Sequence, residues 1–168
     1  MSAPTRRIVT GHLPNGRSVV VSDGPVPNVR NLPGAQFDEV WSVESAPSAL
    51  GLAPPAEPTT ASPQIALGSG SGNLIRVIEF APARAGGRRS PMHRTKTIDY
   101  GIVLEGEVVL ILTDSEVALR RGDVVIQRGT DHAWENRSAG PAKMAFILID
   151  AEFDQQLSSL LQDAEIMP

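Results

Sequence analysis

The chain has 168 residues, a net charge of −4 at neutral pH and a sequence pI near 5.3. Hydrophobic residues make up 41% of the chain, which is enough for one buried core and excludes wholesale disorder. The acidic balance gives no general attraction to nucleic acid, and the absence of cysteine excludes disulfides, thiolate metal sites and cysteine nucleophiles.

Nothing in the sequence predicts a membrane protein. No apolar run is long enough to cross a bilayer. The first residues, MSAPTRRIVTGH, also lack the apolar stretch of a signal peptide. We therefore expect a cytoplasmic protein that binds neither membranes nor nucleic acids.

Residues 1–72 predict a few strands and a loop that belong to the same domain as the rest of the chain. Two β-rich runs between Arg6 and Ser22 flank a Pro-Asn-Gly turn, which is typical of a hairpin. The segment 37–43 alternates apolar and polar residues and predicts another strand. From Ser45 to Gly72 the chain is rich in Ala, Pro, Ser, Thr and Gly, so we expect a long loop.

Residues 73–150 predict the core of a β-barrel. Short runs rich in β-branched residues follow one another there, and turn residues separate them, as in all-β sandwiches and barrels. The predicted strands are 74–80, 101–106, 107–113, 116–120, 123–127 and 144–150.

Residues 151–168 predict one amphipathic helix at the end of the chain. Its apolar residues recur at helical spacing and form a stripe, which we expect to dock against the barrel or a second subunit. The stripe consists of Phe153, Leu157, Leu160, Leu161 and Ala164.

Two spaced groups of residues carry the chemistry. The first group contains Gly87, His93, Thr95, Asp99 and Gly106. The second group contains Gly122, Asp123, Gly129, His132 and Asn136. In order and spacing the two groups resemble the two motifs of the cupin superfamily, which are small β-barrels of the jelly-roll type. In that family a second histidine usually stands at the position of Thr95, a glutamate at that of Asp99 and a proline at that of Gln127.

The alternation of side chains along a strand gives these residues a common direction. His93, Thr95 and Asp99 share one face if their segment is extended, and His132 shares a face with Trp134. If both faces point into the barrel, two imidazoles and one carboxylate converge there. That set suits divalent Fe, Mn or Zn and leaves positions open for substrate and water.

The predicted site therefore has metal ligands at His93, Asp99 and His132, as the resemblance also implies. Thr95 would orient a metal-bound water, and Asp99 would also act as the general base. The alternative is a vestigial metal site, in which the two histidines are the polar lining of a metal-free pocket.

The predicted substrate contacts are Trp134, Gln127 and Phe146. A flat aromatic wall beside a metal suits an aromatic or cyclic molecule. Ordinary core packing is the alternative for the two aromatic residues, and turn capping is the alternative for Gln127. Alternation directs Arg94 and Tyr100 outward.

A basic segment beside the first motif favours an anionic small molecule. It contains Arg84, Arg88, Arg89 and Arg94. The alternative is a solvated turn whose arginines bind nothing.

We expect a metal-dependent enzyme that acts on a small oxygenated or aromatic carboxylate. Lyase chemistry such as decarboxylation is favoured, with the metal polarising a carbonyl and stabilising an enolate or carbanion. The alternatives are an Fe(II) dioxygenase, which uses the same ligand set, and a non-catalytic small-molecule-binding protein, which Thr95 favours. Exposed sheet edges and the resemblance together predict a homodimer.

Overall fold

The computed structural model describes residues 2–44, 47–48, 50–51 and 72–161. Within these ranges the chain forms eleven strands, one 3₁₀ turn and one short α-helix. The elements in chain order are β1 (Arg6–His12), β2 (Ser18–Pro25), β3 (Asn28–Leu32), β4 (Ala35–Val43), β5 (Asn73–Phe80), the 3₁₀ turn (Ala83–Ala85), β6 (Thr97–Glu105), β7 (Glu107–Leu112), β8 (Glu116–Arg120), β9 (Val124–Arg128), β10 (His132–Glu135), β11 (Ala142–Asp150) and α1 (Gln155–Leu160).

Two antiparallel sheets form the body of the protein. The larger sheet has the spatial order β3-β4-β5-β11-β6-β9, and the smaller has the order β10-β7-β8. The last long strand, β11, therefore inserts between β5 and β6 rather than pairing with its predecessor in the chain. This connectivity is that of a jelly roll, and the predicted all-β class is confirmed.

The hydrophobic core lies between the two sheets. Inward positions of β5 and β11 meet inward positions of β7 and β10, because alternate side chains of each strand point to the same face. Each large apolar side chain buried there contributes about 1.5–3 kcal/mol of transfer free energy. The core residues are Leu74, Ile78, Phe80, Val103, Val108, Leu110, Leu119, Trp134, Ala142, Met144, Phe146 and Leu148.

The N-terminal part contains the predicted hairpin and one strand that was not predicted. β1 pairs with β2, and Gly16 takes a φ of 79° in the turn between them, so the hairpin is confirmed. The predicted strand 37–43 is confirmed within β4. β3 was missed because NVRNL carries no alternating apolar pattern; its pairing with β4 is what makes it a strand.

The C-terminal helix is confirmed, but over a shorter range than predicted. It spans Gln155–Leu160, and the carboxylate of Asp154 caps it by accepting a hydrogen bond from the Leu157 amide at 2.7 Å. Leu160 is 70% exposed, so the apolar stripe does not dock along its whole length in this chain. Residues 162–168 and most of the predicted loop 45–72 lie outside the described residues. No helix among the described residues has the length and apolar character that a membrane crossing needs.

Two turn glycines, Gly106 between β6 and β7 and Gly122 between β8 and β9, differ in the space around them. Both Gly106 and Gly122 have positive φ, but a Cβ on Gly106 would lie 2.5 Å from the Pro141 carbonyl oxygen, whereas a Cβ on Gly122 would meet open space. We expect Gly122→Ala to lower the free energy of unfolding by about 1 kcal/mol, through backbone strain alone. Gly106→Ala adds a steric clash and should cost roughly 2–4 kcal/mol. Urea denaturation measures both, and equal losses would contradict this account of the turn.

Candidate functional site

A cavity of about 400 Å³ lies between the two sheets and is the candidate site. This volume is within the range of pockets that bind small organic molecules. Most of its wall is apolar, and its polar groups are few. The apolar wall includes Phe37, Ile78, Phe80, Trp134, Phe146 and Leu148. The polar and charged lining residues include Arg76, Arg88, Arg89, His93, Thr95, Asp99 and His132.

The first motif lines the cavity as strand alternation predicts. Thr95, Thr97 and Asp99 are all buried, while Lys96 and Ile98 between them are exposed. The Thr95 and Thr97 hydroxyls are 2.7 Å apart, and Thr97 donates a hydrogen bond to Oδ1 of Asp99 at 2.5 Å. The three side chains therefore form a hydroxyl–hydroxyl–carboxyl chain along one face of the strand.

Asp99 is a buried carboxyl group with an unusual acidity. Its exposed fraction is 5%, and this burial raises its pKa from 3.8 to about 6. The hydrogen bond from Thr97 and the charge of Arg76 oppose the shift but do not cancel it. Near neutral pH both its charged and its neutral form are accessible, which is the condition for a general acid or base.

The two motif histidines lie side by side at the junction of the sheets. Their ring centroids are 4.1 Å apart, and the backbones of His93 and His132 exchange two hydrogen bonds of 2.9 Å. Each Nδ1 lies 2.9 Å from a backbone carbonyl oxygen two residues earlier, that of Pro91 or Thr130. A carbonyl can only accept, so Nδ1 of each ring is the donor, and in a neutral imidazole the lone pair is then on Nε2.

His132 is neutral at physiological pH. Its pKa is lowered from 6.5 to about 4, mainly by burial and also by the neighbouring His93 ring, while the Thr130 carbonyl acts in the opposite direction. A neutral imidazole with a lone pair on Nε2 can bind a metal or accept a hydrogen bond from a substrate.

Two of the three predicted substrate contacts line the cavity. The Trp134 ring meets Phe146 edge to face at 5.3 Å between centroids and meets His132 at 6.1 Å. Gln127 is buried opposite Asp99 in the pairing of β6 with β9, but it is not among the residues that line this cavity. Its side-chain amide lies against Nδ1 of His132, the same nitrogen that contacts the Thr130 carbonyl.

Comparison with known proteins identifies the family. A cupin domain model matches residues 81–149, the range that contains both motifs. The cupin-domain-containing oxidoreductase fogC of Aspergillus ruber is 33% identical over 156 residues, which cover 86% of this chain and 71% of that protein. The chain belongs to the cupin superfamily.

Other relatives match this cupin over shorter ranges or at lower identity. Phomopsin biosynthesis cluster protein C' of Diaporthe leptostromiformis is 45% identical over 83 residues, which cover 48% of this chain and 42% of that relative. The match therefore spans about two fifths of the length of that relative. Among solved structures, the cupin 2 conserved barrel domain protein from Salinispora arenicola has a TM-score of 0.48 and 18% identity, covering 80% of this chain and 91% of that one.

Two of the three predicted metal ligands share one orientation. The orientation of His93 and His132, with Nδ1 donating and Nε2 accepting, is that of imidazole ligands held by backbone partners. Asp99 is not grouped with them: the part of the chain that the structure describes holds no cluster of three or more His, Asp or Glu residues arranged for a metal ion. Thr95, at the position of the family's usual second histidine, hydrogen-bonds to Thr97. The three-ligand site stays a prediction.

The basic segment divides between the cavity and the surface. Arg88 and Arg89 line the cavity, but Arg84 hydrogen-bonds to the carbonyl of Ala139 at 2.8 Å. Arg94 does point away from the cavity, as predicted, yet it is buried and pairs with Asp131 through two contacts of 2.7 and 2.9 Å. It is therefore a structural ion pair rather than a solvated or substrate-binding arginine.

Sequence reasoning missed Arg76, which lies in the cavity wall, and its partner Glu39. Arg76 Nε is 3.2 Å from a carboxylate oxygen of Glu39, and both side chains are buried. The signal for Arg76 was present, because Leu74, Arg76 and Ile78 occupy alternate positions of one strand. An arginine at a core-facing position of an apolar strand indicates a functional or paired charge. Glu39 had no comparable signal, since its strand lies beyond the predicted loop.

The shifted acidities of Asp99 and His132 predict opposite effects of pH on stability. The folded protein binds the Asp99 proton more tightly than the unfolded chain does, because its pKa is about 6 instead of 3.8. The resulting contribution to the free energy of unfolding is complete below pH 3.8 and is lost as pH rises through about 6. A lowered histidine pKa gives stability that is lost as pH falls from 6.5 towards 4. The two contributions offset each other in the parent protein. The side chain of Asp99→Asn is neutral at every pH, so this variant avoids the cost of ionising a buried carboxyl group. We expect its free energy of unfolding to exceed that of the parent by about 1–3 kcal/mol at pH 7.5 and to differ hardly at all at pH 4.

Urea unfolding at the two pH values measures this difference. Asp114→Asn, at an exposed turn, is the matched control and should change stability equally little at both. If the free energy of unfolding of Asp99→Asn equals that of the parent at both pH values, the pKa of Asp99 is not raised by folding.

Proposed function

We propose that this cupin is an enzyme that binds a small aromatic carboxylate in the cavity between its sheets and transfers a proton through Asp99. The observation that carries the proposal is the position of Asp99, a buried carboxyl group with a pKa near 6 in the wall of a cavity of substrate size. The aromatic wall formed by Trp134 and Phe146 supports an aromatic substrate.

The hydroxyl chain assigns the two carboxyl oxygens of Asp99 different roles. Thr97 holds Oδ1 by its hydrogen bond, and Thr95 in turn holds Thr97. Proton transfer is therefore assigned to Oδ2. Such positioning matters because a base must lie within hydrogen-bond reach of the proton it removes.

The proton balance is simple for a substrate with a carbonyl group. Ionised Asp99 takes a proton from the carbon beside the carbonyl; the C–H bond breaks, an O–H bond forms on Asp99 and the electron pair moves to the carbonyl oxygen as an enolate. In a decarboxylation the C–C bond breaks instead, CO₂ leaves, and neutral Asp99 delivers its proton to the resulting carbanion. Both reactions need an acid–base group that can hold either state near neutral pH, and neither needs an oxidant. Lyase chemistry therefore stays the preferred reaction.

The relatives support a biosynthetic enzyme in general terms. One is named as an oxidoreductase and another as a biosynthesis cluster protein. A similar setting for this cupin is part of our proposal. An oxidation would require dioxygen or another electron acceptor. The second candidate function is therefore that of an Fe(II) dioxygenase, which uses dioxygen.

The two oriented imidazoles favour that second candidate. His93 and His132 would hold a divalent Fe, Mn or Zn ion through Nε2, with Asp99 as the proposed third ligand. Such an ion would supply Lewis-acid polarisation of a substrate oxygen or, as Fe(II), activation of dioxygen.

Metal binding is tested by elemental analysis of protein purified without chelator and then dialysed. We expect the metal-to-protein ratio to fall in His132→Ala, because that ring is one of the two oriented ligands. His12→Ala is the matched control: this histidine lies in β1 and outside the cavity lining, and its ratio should equal that of the parent. A parent without metal, or equal ratios in all three proteins, would exclude the metal site.

Proton transfer is tested with phenylpyruvate, an aromatic 2-keto acid that has exchangeable protons beside its carbonyl. In D₂O we expect the parent to accelerate deuterium uptake at that carbon, as measured by proton NMR. Asp99→Asn should lose roughly 100-fold or more of the acceleration, the scale of a missing general base. Asp114→Asn should retain it, since that carboxylate lies at an exposed turn. If Asp99→Asn exchanges protons like the parent, the assignment is wrong, and a parent that binds the probe without exchanging it is a binding protein only.

A further inference from the structure

The outer face of the larger sheet, which points away from the cavity, is covered on one side and exposed on the other. Over β4 and β5 the N-terminal segment lies against it. Thr5 donates two hydrogen bonds to the carboxylate of Asp38, and the guanidinium of Arg7 lies 5.3 Å from the centre of the Trp41 ring. Asp38 and its register partner Val77 are buried there. Over β6 and β9, at the other side of the same sheet, the outward side chains are exposed.

The exposed part of this face is apolar. Strands that are covered on one side only usually alternate apolar and polar residues, whereas strands covered on both sides are apolar on both faces. β6 and β9 are of the second kind, although their outward side chains lie in solvent in the single chain. We call this surface the outer apolar face. It consists of Ile98, Tyr100 and Leu104 of β6 and Val124 and Ile126 of β9, which are 36% to 58% exposed.

Strand register joins these side chains into one continuous surface. Tyr100 is the register partner of Ile126 on one side and of Ile147 in β11 on the other. The helix α1 extends the surface, because Leu157 lines one surface pocket with Ile98 and a second one with Ile126. A contiguous exposed apolar surface of this kind marks a contact with another molecule.

Opposite charges lie at the two ends of the outer apolar face. Arg128 ends β9 and is the register partner of Ile98. Glu105 ends β6, roughly 20 Å from Ile98 at the rise of a strand. The side chains of Arg128 and Glu105 are both exposed. Lys143, the register partner of Glu105, lies 3.7 Å from Glu79. With a cation at one end and a carboxylate at the other, the face is complementary in charge to a reversed copy of itself.

We propose that the outer apolar face binds the same face of a second copy of this chain, about a two-fold axis that runs across the strands. Such an axis reverses the strand direction, so that Arg128 of each subunit meets Glu105 of the partner subunit. An axis along the strands would instead bring Arg128 against its own copy, and like charges would repel. Contacts in which both subunits use the same surface are the commonest in oligomers. The contact lies behind the strand that carries Asp99 and does not depend on the chemistry of the cavity.

The mass of the full chain in solution tests this interface, and sedimentation equilibrium measures it over a range of concentrations. We expect the parent to reach twice the chain mass of 17.9 kDa. Ile126→Lys places an unpaired charge in the apolar contact and should raise the dissociation constant of the dimer roughly tenfold or more. Val20→Lys is the matched control. Val20 lies in the N-terminal hairpin and is 55% exposed, against 57% for Ile126, so this variant should stay dimeric.

Charge reversal tests the direction of the axis. Arg128→Glu and Glu105→Arg each place like charges opposite one another, so each should weaken the dimer. The double variant restores opposite charges and should recover the dissociation constant of the parent. Both positions are exposed, so these variants also test the interface if Ile126→Lys fails to fold, as judged by circular dichroism.

Three results would overturn the proposal. A parent with the mass of one chain at every concentration would show that this face does not bind a second copy. A dimer that dissociates in Val20→Lys but persists in Ile126→Lys would move the contact to the N-terminal hairpin. A double charge variant that dimerises as weakly as the single variants would exclude the axis across the strands.

Discussion

The pairing of β11 between β5 and β6 is the constraint on which the site depends. In this pairing Phe146 is the register partner of Arg76 on one side and of Gly101 on the other. Leu148 lies between Leu74 and Asp99 in the same way. Register partners point to the same face of a sheet. The side chains of Arg76, Phe146 and Asp99 therefore lie on the inward face of the larger sheet and line one cavity. Gly101 leaves room for the Phe146 ring, because a Cβ at this position would lie only 3.3 Å from it.

The cavity combines apolar walls with buried ionisable side chains. Asp99 has a hydroxyl donor in Thr97 but is buried deeply enough for its pKa to rise. Arg76 has Glu39, which it shares with Arg30. Burying ionisable groups costs stability, and proteins commonly accept that cost at functional sites. Here burial provides a carboxyl group that titrates near neutrality.

The histidine pair links the two halves of the barrel and shows what a change in the family motif does. His93 and His132 meet through a backbone bridge, and each ring is oriented by a nearby carbonyl. At the intervening ligand position the chain has Thr95, whose hydroxyl bonds along its own strand to Thr97. Thr95 thus extends the hydrogen-bond chain that ends at Asp99.

The sequence by itself determined most of the strands, the hairpin and the family. Alternation and turn glycines are local properties, so they were sufficient to place His93, Thr95 and Asp99 on one face and to direct Tyr100 outward. Arg76 needed only the parity of its own strand. Long-range structure decided the rest: that Glu39 pairs with Arg76, that Gln127 contacts His132, and that Asp99 is not grouped with the histidines. These relations depend on the register of strands far apart in the chain and on the depth of burial between the sheets. Core packing determines both, and no local pattern encodes them.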